Sequence, residues 1–286
     1  MGDEGDVRPG PTGAAGVGAV GQDGPVLRVA TVNVNGIRAA FRRGMATWLT
    51  TAQPDVLLLQ EVRAPRTVLA EHLSTDWHVV HHEAPAAGRA GVAIASRLPF
   101  QAVRLGLPDE PPESVGRWVE CDLVAPDEGP LTVISTYVHA ATANTPSMDV
   151  KLAFLERATA RLTELGSRRA VLGGDLNVAH DQRDIKNWKG NRGKSGFLPQ
   201  EQAHLTAWRE RGWVDAARTR AGDVHGPYTW WSWRGRAYDN DSGWRIDYLW
   251  CSAALAGSVT EVTVDRAPSY DARWSDHAPV RALIDL

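Results

Sequence analysis

Polar residues able to do chemistry follow the ends of several apolar runs in this sequence. Asn33 and Asn35 come at the end of the first run, and Glu61 directly follows the apolar residues 56–60. The other polar residues at such positions are Tyr137, Asp175, Asn177, Asp247, Asp276 and His277. Strand ends are where a rigid scaffold presents catalytic groups. Each residue alone is most simply a surface residue of a turn, but together they are better explained by one site.

This set of side chains suits metal-assisted hydrolysis of a phosphate ester. Magnesium is a hard ion that takes one or two protein carboxylates and keeps water and phosphate oxygens in its shell. Glu61 with the amide of Asn33 would satisfy it, whereas a zinc cage would need several histidine or cysteine ligands. A protonated imidazole and amide donors would stabilise the charge that develops on the phosphate. A nearby aspartate would fix the tautomer of His277 and favour its charged form.

The elements that must position these residues are mostly predicted strands. Apolar, β-branched runs predict strands at 26–34, 56–60, 77–82, 91–96, 117–123, 131–137, 170–174, 246–252 and 280–285. Apolar periodicity predicts helices at 44–52, 66–73, 148–165 and 200–211. Many strands, few helices and no strict alternation predict an α/β fold of two packed β-sheets flanked by helices, a four-layer α/β sandwich.

Length and composition bound the class of protein. The 286 residues predict a single domain over 26–286 after a disordered, acidic, Gly/Ala-rich tail at 1–25. No apolar run is long enough to span a bilayer, and the acidic first residues do not resemble a signal peptide, so no membrane partner is expected. The two cysteines, Cys121 and Cys251, form no CxxC pair, which excludes a disulfide scaffold and favours the reducing cytoplasm. We expect a cytoplasmic monomer.

The net charge of −3 argues against binding nucleic acid by bulk charge alone. Since the tail carries four carboxylates and one arginine, the body is close to neutral, and a polyanion-binding face must be a local patch. The segment 183–194 is the candidate, because Asp184 is its one acid among the basic residues Arg183, Lys186, Lys189, Arg192 and Lys194. A solvated charged loop is the plainer interpretation, but the interleaved Asn187, Trp188 and Asn191 favour phosphate contacts.

Ordered sequence blocks resemble the exonuclease III family of abasic-site DNA endonucleases, within the endonuclease/exonuclease/phosphatase superfamily. The blocks are TVNVNGIRAA (31–40), PDVLLLQEVRA (54–64), GRAGVAIASR (88–97), GGDLNVAH (173–180), KNWKGN (186–191), SGFLPQE (195–201), YTWWSWRGRAYDNDSGWRIDYLW (228–250) and WSDHAPV (274–280). The resemblance implies a DNase I-like sandwich and a Mg²⁺ cofactor for which Mn²⁺ is a possible substitute. It also implies a repair nuclease that cuts duplex DNA 5′ to abasic sites, with 3′→5′ exonuclease and 3′-phosphodiesterase activity on blocked 3′ ends.

The resemblance further implies a role for each matched residue. Glu61 would be the principal metal ligand, in a shell that includes Asn33, Asp175, Asn177, Asp276 and His277. Asp175 would activate or position the attacking water, Asn177 would orient it, and Tyr137 would contact the scissile phosphate. His277, oriented by Asp247, would bind a non-bridging phosphate oxygen. Trp230, Trp244 and Ile246 would line a pocket for the base-less sugar, and further DNA contacts would come from Asn35, Arg63, Lys186, Asn187, Lys189, Asn191 and Lys194.

Three positions depart from the family pattern. After Tyr137 the family has a small polar donor, whereas this chain reads Val138-His139-Ala140, so His139 either replaces that donor or faces solvent. Lys194 stands where an amide is common, and Trp233 stands where tyrosine or phenylalanine is common. Of the other tryptophans, Trp231 and Trp250 are predicted to pack in the core.

Two other functions remain open from the sequence. A relative acting on inositol phosphates, sphingomyelin or RNA would share the metal and His/Asp residues, but the blocks KNWKGN, SGFLPQE and DNDSGWRIDY favour the DNA repair branch. A DNA-binding module that has lost catalysis would show gaps in the catalytic set, and the set is complete. Only the segment after Tyr137 supports that second alternative.

Overall fold

The computed structural model describes residues 25–124 and 129–286, so the tail predicted for 1–25 lies, apart from Pro25, outside the described residues. The strands are β1 (Val26–Asn33), β2 (Val56–Gln60), β3 (His78–His82), β4 (Val92–Ser96), β5 (Phe100–Leu105), β6 (Trp118–Val124), β7 (Pro130–Tyr137), β8 (Ala170–Asp175), β9 (Val214–Asp215), β10 (Asp247–Cys251), β11 (Val259–Val264) and β12 (Val280–Asp285). The α-helices are α1 (Ile37–Arg42), α2 (Met45–Ala52), α3 (Arg66–His72), α4 (Pro146–Leu165), α5 (Trp188–Asn191), α6 (Pro199–Glu210), α7 (Ala216–Ala221) and α8 (Ala253–Ala256).

The strands form two six-stranded mixed sheets. Their orders are β11-β12-β1-β2-β4-β3 and β5-β6-β7-β8-β10-β9. Each sheet has one parallel pair at its centre, β1 with β2 and β7 with β8, and its other pairings are antiparallel. The prediction of two packed sheets flanked by helices is confirmed.

Three apolar clusters hold the layers together. The first lies between the sheets and includes Val29, Leu58, Val133 and Leu249. The second packs α4 and α6 on the outer face of one sheet, and the third packs α1, α2 and α3 on the outer face of the other. Burial of this apolar area is the main force that favours the four-layer arrangement.

Two glycines in β8 allow close packing beneath the site, Gly173 against the facing sheet and Gly174 against the neighbouring strand β7. A Cβ on Gly173 would lie 2.5 Å from Leu58 Cδ1, and one on Gly174 would lie 2.0 Å from the backbone oxygen of Thr136. Both separations are too short for a real side chain, so any larger residue would push β8 away from its neighbours. This close approach sets where β8 delivers its last residue, Asp175.

The predicted strands and helices are present, with ends that differ by up to two residues. The strands that the sequence did not predict, β5, β9 and β11, all lie at sheet edges. An edge strand is half exposed, as in β5, where exposed and half-buried positions alternate and Val103 and Leu105 face solvent, so it lacks a continuous buried apolar run. The short helices α1, α5, α7 and α8 were also not predicted, because runs of four to six residues carry little periodicity.

No α-helix among the described residues combines the length and apolar character needed to cross a membrane.

Candidate active site

The two parallel strand pairs bring polar side chains to one end of the sandwich. Asn33 ends β1 and Glu61 follows β2, while Tyr137 and Asp175 end β7 and β8. Because the carboxyl ends of parallel strands meet at the same end of a sheet, these four residues face a common space. Asp247 joins them, since it begins β10, which runs antiparallel to β8 with Asp247 paired to Asp175.

These residues border a cavity of about 320 Å³. Its walls contain most of the predicted site residues, namely Asn35, Glu61, Arg63, Tyr137, Asp175, Asn177, Trp230, Trp244, Ile246, Asp276 and His277. Ala140, Ala141, Lys151, Ser195 and Gly196 complete the lining. Asn33 and Asp247 lie just behind the wall and are fully buried. One cavity therefore unites residues that are far apart in the sequence.

Asn33 bridges two carboxylates on the floor of the cavity. Its Nδ2 donates to Glu61 Oε1 at 2.7 Å and to Asp175 Oδ2 at 2.9 Å. The second oxygen of Glu61 accepts a hydrogen bond from the Arg63 guanidinium. Oxygen ligands that converge in this way are those that a hard divalent cation prefers. The residues present therefore fit such an ion, with Glu61 and Asp175 as its anionic ligands.

The charges around Asp175 also support a divalent cation at this position. Burial raises the pKa of Asp175 to about 7, although the neighbouring His277 cation opposes the rise. Asp247 and Glu61 add to the rise because each is a further negative charge nearby. A divalent cation beside Asp175 would favour its ionised form.

His277 and Asp247 form a buried ion pair at the back of the cavity. Asp247 Oδ2 lies 2.9 Å from His277 Nδ1, and His277 Nε2 lies 3.8 Å from Asp175 Oδ2. Burial alone would lower the pKa of His277, but Asp247 and Asp175 outweigh it and raise the pKa to about 10. The imidazole is therefore protonated at neutral pH. Asp175, Asp247 and His277 lie close enough together to hold a metal ion, but the protonated ring favours His277 as a hydrogen-bond donor.

Tyr137 is held in its protonated form. Burial raises the pKa of its phenol, and the carboxylates of Glu61 and Asp175 raise it further. The Arg117 guanidinium lies 4.8 Å from the centre of the Tyr137 ring and brings a positive charge to this wall. A phenol with a raised pKa can donate a hydrogen bond but is a poor proton acceptor at neutral pH.

Asp276 ties the aromatic wall of the cavity to its polar floor. Its two oxygens accept hydrogen bonds from Asn35 Nδ2 at 2.8 Å and from Trp230 Nε1 at 3.1 Å. Trp230 stands edge-to-face against Trp244, with ring centroids 6.3 Å apart, and Ile246 packs in the same cluster. The result is an apolar wall beside the charged groups.

Four non-glycine residues of the cavity wall adopt left-handed backbone conformations. The φ angles are 48° at Asn35, 50° at Glu61, 53° at Arg63 and 50° at Asn177. Such angles are uncommon for residues with a Cβ and are retained where the surrounding structure fixes them. Here they turn each residue back toward the cavity directly after its strand.

The basic segment 183–194 lies outside the cavity lining and divides into two parts. Arg183 is neutralised by Asp181 and Asp223, so it does not add free charge to the predicted patch. The residues predicted to contact DNA lie beyond it: Lys186, Asn187, Lys189 and Lys194 are exposed, and Asn191 is half-buried. Asn187 Oδ1 accepts a hydrogen bond from the backbone nitrogen of Gly190 at 3.3 Å, which caps α5.

Neither expectation for His139 is met. Its side chain does not line the cavity and does not face solvent, since the residue is 8% exposed and His139 Nε2 lies 3.0 Å from Ser114 Oγ. Ala140 and Ala141 line the cavity in its place. The small polar donor expected after Tyr137 is therefore not replaced by His139. Trp231 and Trp250 are buried, as predicted.

Two residues beside the site were missed by sequence reasoning. Arg117 directly precedes β6, which runs antiparallel to β7, so it comes to the same end of the sheet as Tyr137. Lys151 lies on the apolar face of α4, three residues after Met148 and four before Leu155. A basic residue at the start of a neighbouring strand, or within an apolar helix face, is the signal that would have found them.

The sequence was compared with models of protein families and with known proteins. A sequence model of the endonuclease/exonuclease/phosphatase family matches residues 30–277. The chain is 31% identical over 262 residues to a Bacillus subtilis (strain 168) protein named exodeoxyribonuclease, covering 91% of this chain and all of that one.

Two solved structures are similar to this chain over most of its length. An AP endonuclease from Archaeoglobus fulgidus superposes with a TM-score of 0.80 at 29% identity, covering 91% of this chain and 100% of the other. A 3′-5′ exonuclease from Neisseria meningitidis superposes with a TM-score of 0.79 at 26% identity and the same coverage.

Proposed function

This chain belongs to the endonuclease/exonuclease/phosphatase family, and on that basis we propose that it is a DNA repair nuclease that hydrolyses the phosphodiester 5′ to abasic sites in duplex DNA. The observation that carries the proposal is the position of the charged groups beside the aromatic wall. Asp175 and His277, with Asp247 paired to His277 from behind, face the same cavity as Trp230 and Trp244. A reacting phosphate would lie against the charged groups, and the sugar next to it would lie against the aromatic wall.

Asp175 is the group that accepts the proton of the attacking water. The water oxygen bonds to phosphorus as the bond from phosphorus to the 3′ oxygen breaks, and that oxygen takes a proton from solvent and leaves as a 3′-hydroxyl. Of the two candidates for this role, Tyr137 has its pKa raised by burial and stays protonated, whereas Asp175 is ionised close to neutral pH. The backbone nitrogen of Asn177 donates to Asp175 Oδ1 at 2.9 Å and fixes the orientation of the carboxylate. Asn177 thereby holds Asp175 in place for the water.

His277 and Tyr137 stabilise the negative charge that grows on the phosphate. The His277 imidazolium donates Nδ1–H to Asp247, which leaves Nε2–H for a non-bridging phosphate oxygen. The Tyr137 phenol, which also lines the cavity, supplies a second donor, with the positive charge of Arg117 over its ring. These fixed donors lie in a largely buried site, where such interactions are strongest.

Glu61 and Asp175 would hold the divalent cation through their carboxylate oxygens, with Asp276 at the edge of its shell, and Asn33 would position the two carboxylates through its Nδ2. We propose Mg²⁺ as the ion, with Mn²⁺ as a substitute, because the ligand atoms are carboxylate oxygens. A bound cation would polarise the phosphate and lower the pKa of its bound water.

The apolar wall gives the site its preference for a damaged nucleotide. Trp230, Trp244 and Ile246 leave a small pocket beside the charged groups, of a size and character that accept a sugar without its base. The same donors would serve a phosphate at a 3′ end, so we propose 3′→5′ exonuclease and 3′-phosphodiesterase activities as secondary functions. The exposed Lys186 and Lys189 would bind the DNA backbone beyond the pocket.

A single chain supplies every group named above, so we propose that the protein acts as a monomer with one catalytic domain over 26–286. Cys121 and Cys251 are buried and free, in keeping with the cytoplasmic location that we propose.

A duplex with one tetrahydrofuran abasic analogue and a labelled 5′ end tests the proposal directly. The analogue resists β-elimination, so any cut must be hydrolytic. We expect one Mg²⁺-dependent cut on the 5′ side of the analogue, no cut with EDTA, and no cut in an undamaged duplex. Asp175→Asn serves as the control for contaminating nucleases.

Other results would select a different function. A ladder of products that shortens from the 3′ end would make the exonuclease the main activity. Tight binding to the duplex without any cut would support a binding module and contradict the proposal. Hydrolysis of inositol phosphates or RNA in preference to the analogue would place the chain in another branch of the superfamily.

A further inference from the structure

A lysine of the cavity lining and a glutamate behind it form a buried ion pair. Lys151 comes from α4 and Glu201 from the first turn of α6, and both residues are fully buried. Lys151 Nζ donates to Glu201 Oε1 at 2.5 Å. Neither residue belongs to the groups assigned above to water activation, metal binding or phosphate binding.

Glu201 organises one wall of the cavity. Its carboxylate accepts hydrogen bonds from the backbone nitrogens of Gly196 at 2.8 Å and Leu198 at 2.9 Å, and from Ser195 Oγ at 3.4 Å. Ser195 and Gly196 line the cavity itself. A single carboxylate thus holds the turn that faces the reacting groups.

Lys151 organises the adjacent wall. Its Nζ donates to the backbone oxygen of Asn177 at 2.7 Å, and the Asn177 side chain donates to the backbone oxygen of Val138 at 2.9 Å. Asn177 has a φ of 50°, a conformation that needs external support in a residue with a Cβ. Lys151 is therefore a direct support for the residue that orients Asp175.

We infer that Lys151 and Glu201 are positioning residues, which lock the Asp175–Asn177 segment to the Ser195–Leu198 turn in the geometry that hydrolysis requires. The inference rests on the function proposed above. The pair adds a side-chain link between two loops that the backbone hydrogen bond from Ala179 N to Gly196 O, at 2.8 Å, also joins. Glu201 lies outside the cavity lining, and Lys151, which lines the cavity, acts on the site through the backbone oxygen of Asn177.

The energetics favour a positioning role over a simply stabilising one. Removing two charges from water carries a large desolvation penalty, so a buried ion pair adds little net stability compared with apolar residues of the same size. The apolar face of α4 would accept such a residue at position 151, next to Phe154 and Leu155. The chain instead keeps a lysine there, whose three donors can reach two loops at once.

The test compares Lys151→Met with a matched control on the same helix. Arg161 also lies on α4, ten residues beyond Lys151 and outside the cavity lining, and forms an ion pair at 2.7 Å with the buried Glu120, which Arg104 also contacts at 2.6 Å. Arg161→Met therefore removes an ion pair from the same helix without touching the site, while Glu120 keeps a second cationic partner. Each variant is assayed for kcat and KM on the abasic duplex, for duplex affinity in EDTA, and for its melting temperature.

We expect Lys151→Met to lower kcat by about 10- to 100-fold while KM and the affinity in EDTA change less than about threefold. Lys151→Arg should recover part of the lost rate, since it keeps the charge and the donors. Arg161→Met should keep the wild-type kcat even if its melting temperature falls. An unchanged kcat in Lys151→Met, or an equal loss in both variants, would overturn the inference.

A second measurement does not depend on catalysis. Amide hydrogen exchange should become faster in Lys151→Met at 175–179 and 195–198, and remain unchanged there in Arg161→Met. If the wild-type protein fails to cut the duplex, the proposed function fails, but these exchange rates still decide whether Lys151 fixes the two loops. Unchanged exchange in both segments would contradict the positioning role.

Discussion

Asp247 Oδ2 lies 2.9 Å from His277 Nδ1, and both side chains are buried at the back of the cavity. The same carboxylate oxygen accepts a second hydrogen bond, from Thr229 Oγ1 at 2.6 Å. Asp247 is thereby fixed in place before it meets the imidazole. The pair leaves only Nε2 of His277 facing Asp175 and the cavity. Folding itself therefore sets which nitrogen of His277 is available to the substrate.

Asp247→Asn is expected to lower kcat by about 10²- to 10⁴-fold. The amide removes the negative charge that keeps His277 protonated, so the donor to the phosphate is weakened. Duplex affinity in EDTA should stay within about threefold of wild type, because the backbone contacts lie elsewhere. Turnover near the wild-type rate would show that His277 does not act as a charged donor.

Glu61→Ala is expected to raise the Mg²⁺ concentration needed for half-maximal activity by about 10- to 100-fold. The reason is that one of the two carboxylates bridged by Asn33 is lost. Glu71→Ala, which removes an exposed carboxylate from α3, is the matched control and should leave the Mg²⁺ titration unchanged. A wild-type titration curve for Glu61→Ala would remove Glu61 from the metal site.

The acid limb of kcat/KM is expected to move to lower pH as Mg²⁺ is raised. Burial raises the pKa of Asp175 to about 7 without a metal, so its ionised form is lost as the pH falls through that value. A divalent cation competes with the proton for the same carboxylate and lowers that pKa. Profiles measured at low and high Mg²⁺ should therefore separate on the acid side. Superimposable profiles would show that the proton and the divalent cation do not compete for Asp175.

Lys186→Ala combined with Lys189→Ala is expected to weaken duplex binding and flatten its salt dependence. Each lost phosphate contact reduces the slope of log K against log salt by about 0.9, so the double variant should lose about 1.8. Arg209→Ala with Arg211→Ala removes two exposed charges at the far end of α6 and serves as the control. An unchanged slope in the lysine variant would place this segment outside the DNA interface.

The sequence predicted the strands that lie inside the sheets, because a buried strand is a continuous apolar run that is easy to see. It also predicted that Glu61, Asp175 and His277 would meet, since each stands beside the end of such a run. The edge strand β5 was not predicted, because exposed positions such as Val103 alternate with half-buried ones.

Contacts made across the fold could not be predicted from sequence spacing. The ion pair between Lys151 and Glu201 joins residues 50 positions apart, and it acts on the site through the hydrogen bond from Lys151 to the backbone oxygen of Asn177. The position of His139 depends on Ser114, which reaches it from a separate turn. Such partners are fixed by tertiary packing, on which local composition carries no information.

His139→Gln is expected to make the protein less sensitive to mild acid. Burial, together with the smaller effects of the positive charges on Arg117 and Lys151, lowers the pKa of His139 from its ordinary value of 6.5 to about 3. The folded state therefore favours the neutral ring, whereas the unfolded chain takes up a proton below pH 6.5. The stabilisation that the neutral ring gives is complete above pH 6.5 and is lost as the pH falls toward 3.

Between pH 6.5 and 3, titration of His139 alone should lower the wild-type free energy of unfolding by about 1.4 kcal/mol for each unit that the pH falls. Glutamine does not titrate, so urea unfolding of His139→Gln between pH 4 and 6.5 should show a slope smaller by about that amount. The variant should be less stable than wild type at pH 7, where the packing of His139 on Phe154 is lost, and the difference should shrink as the pH falls. Parallel curves for the two proteins would show that His139 takes up its proton without unfolding.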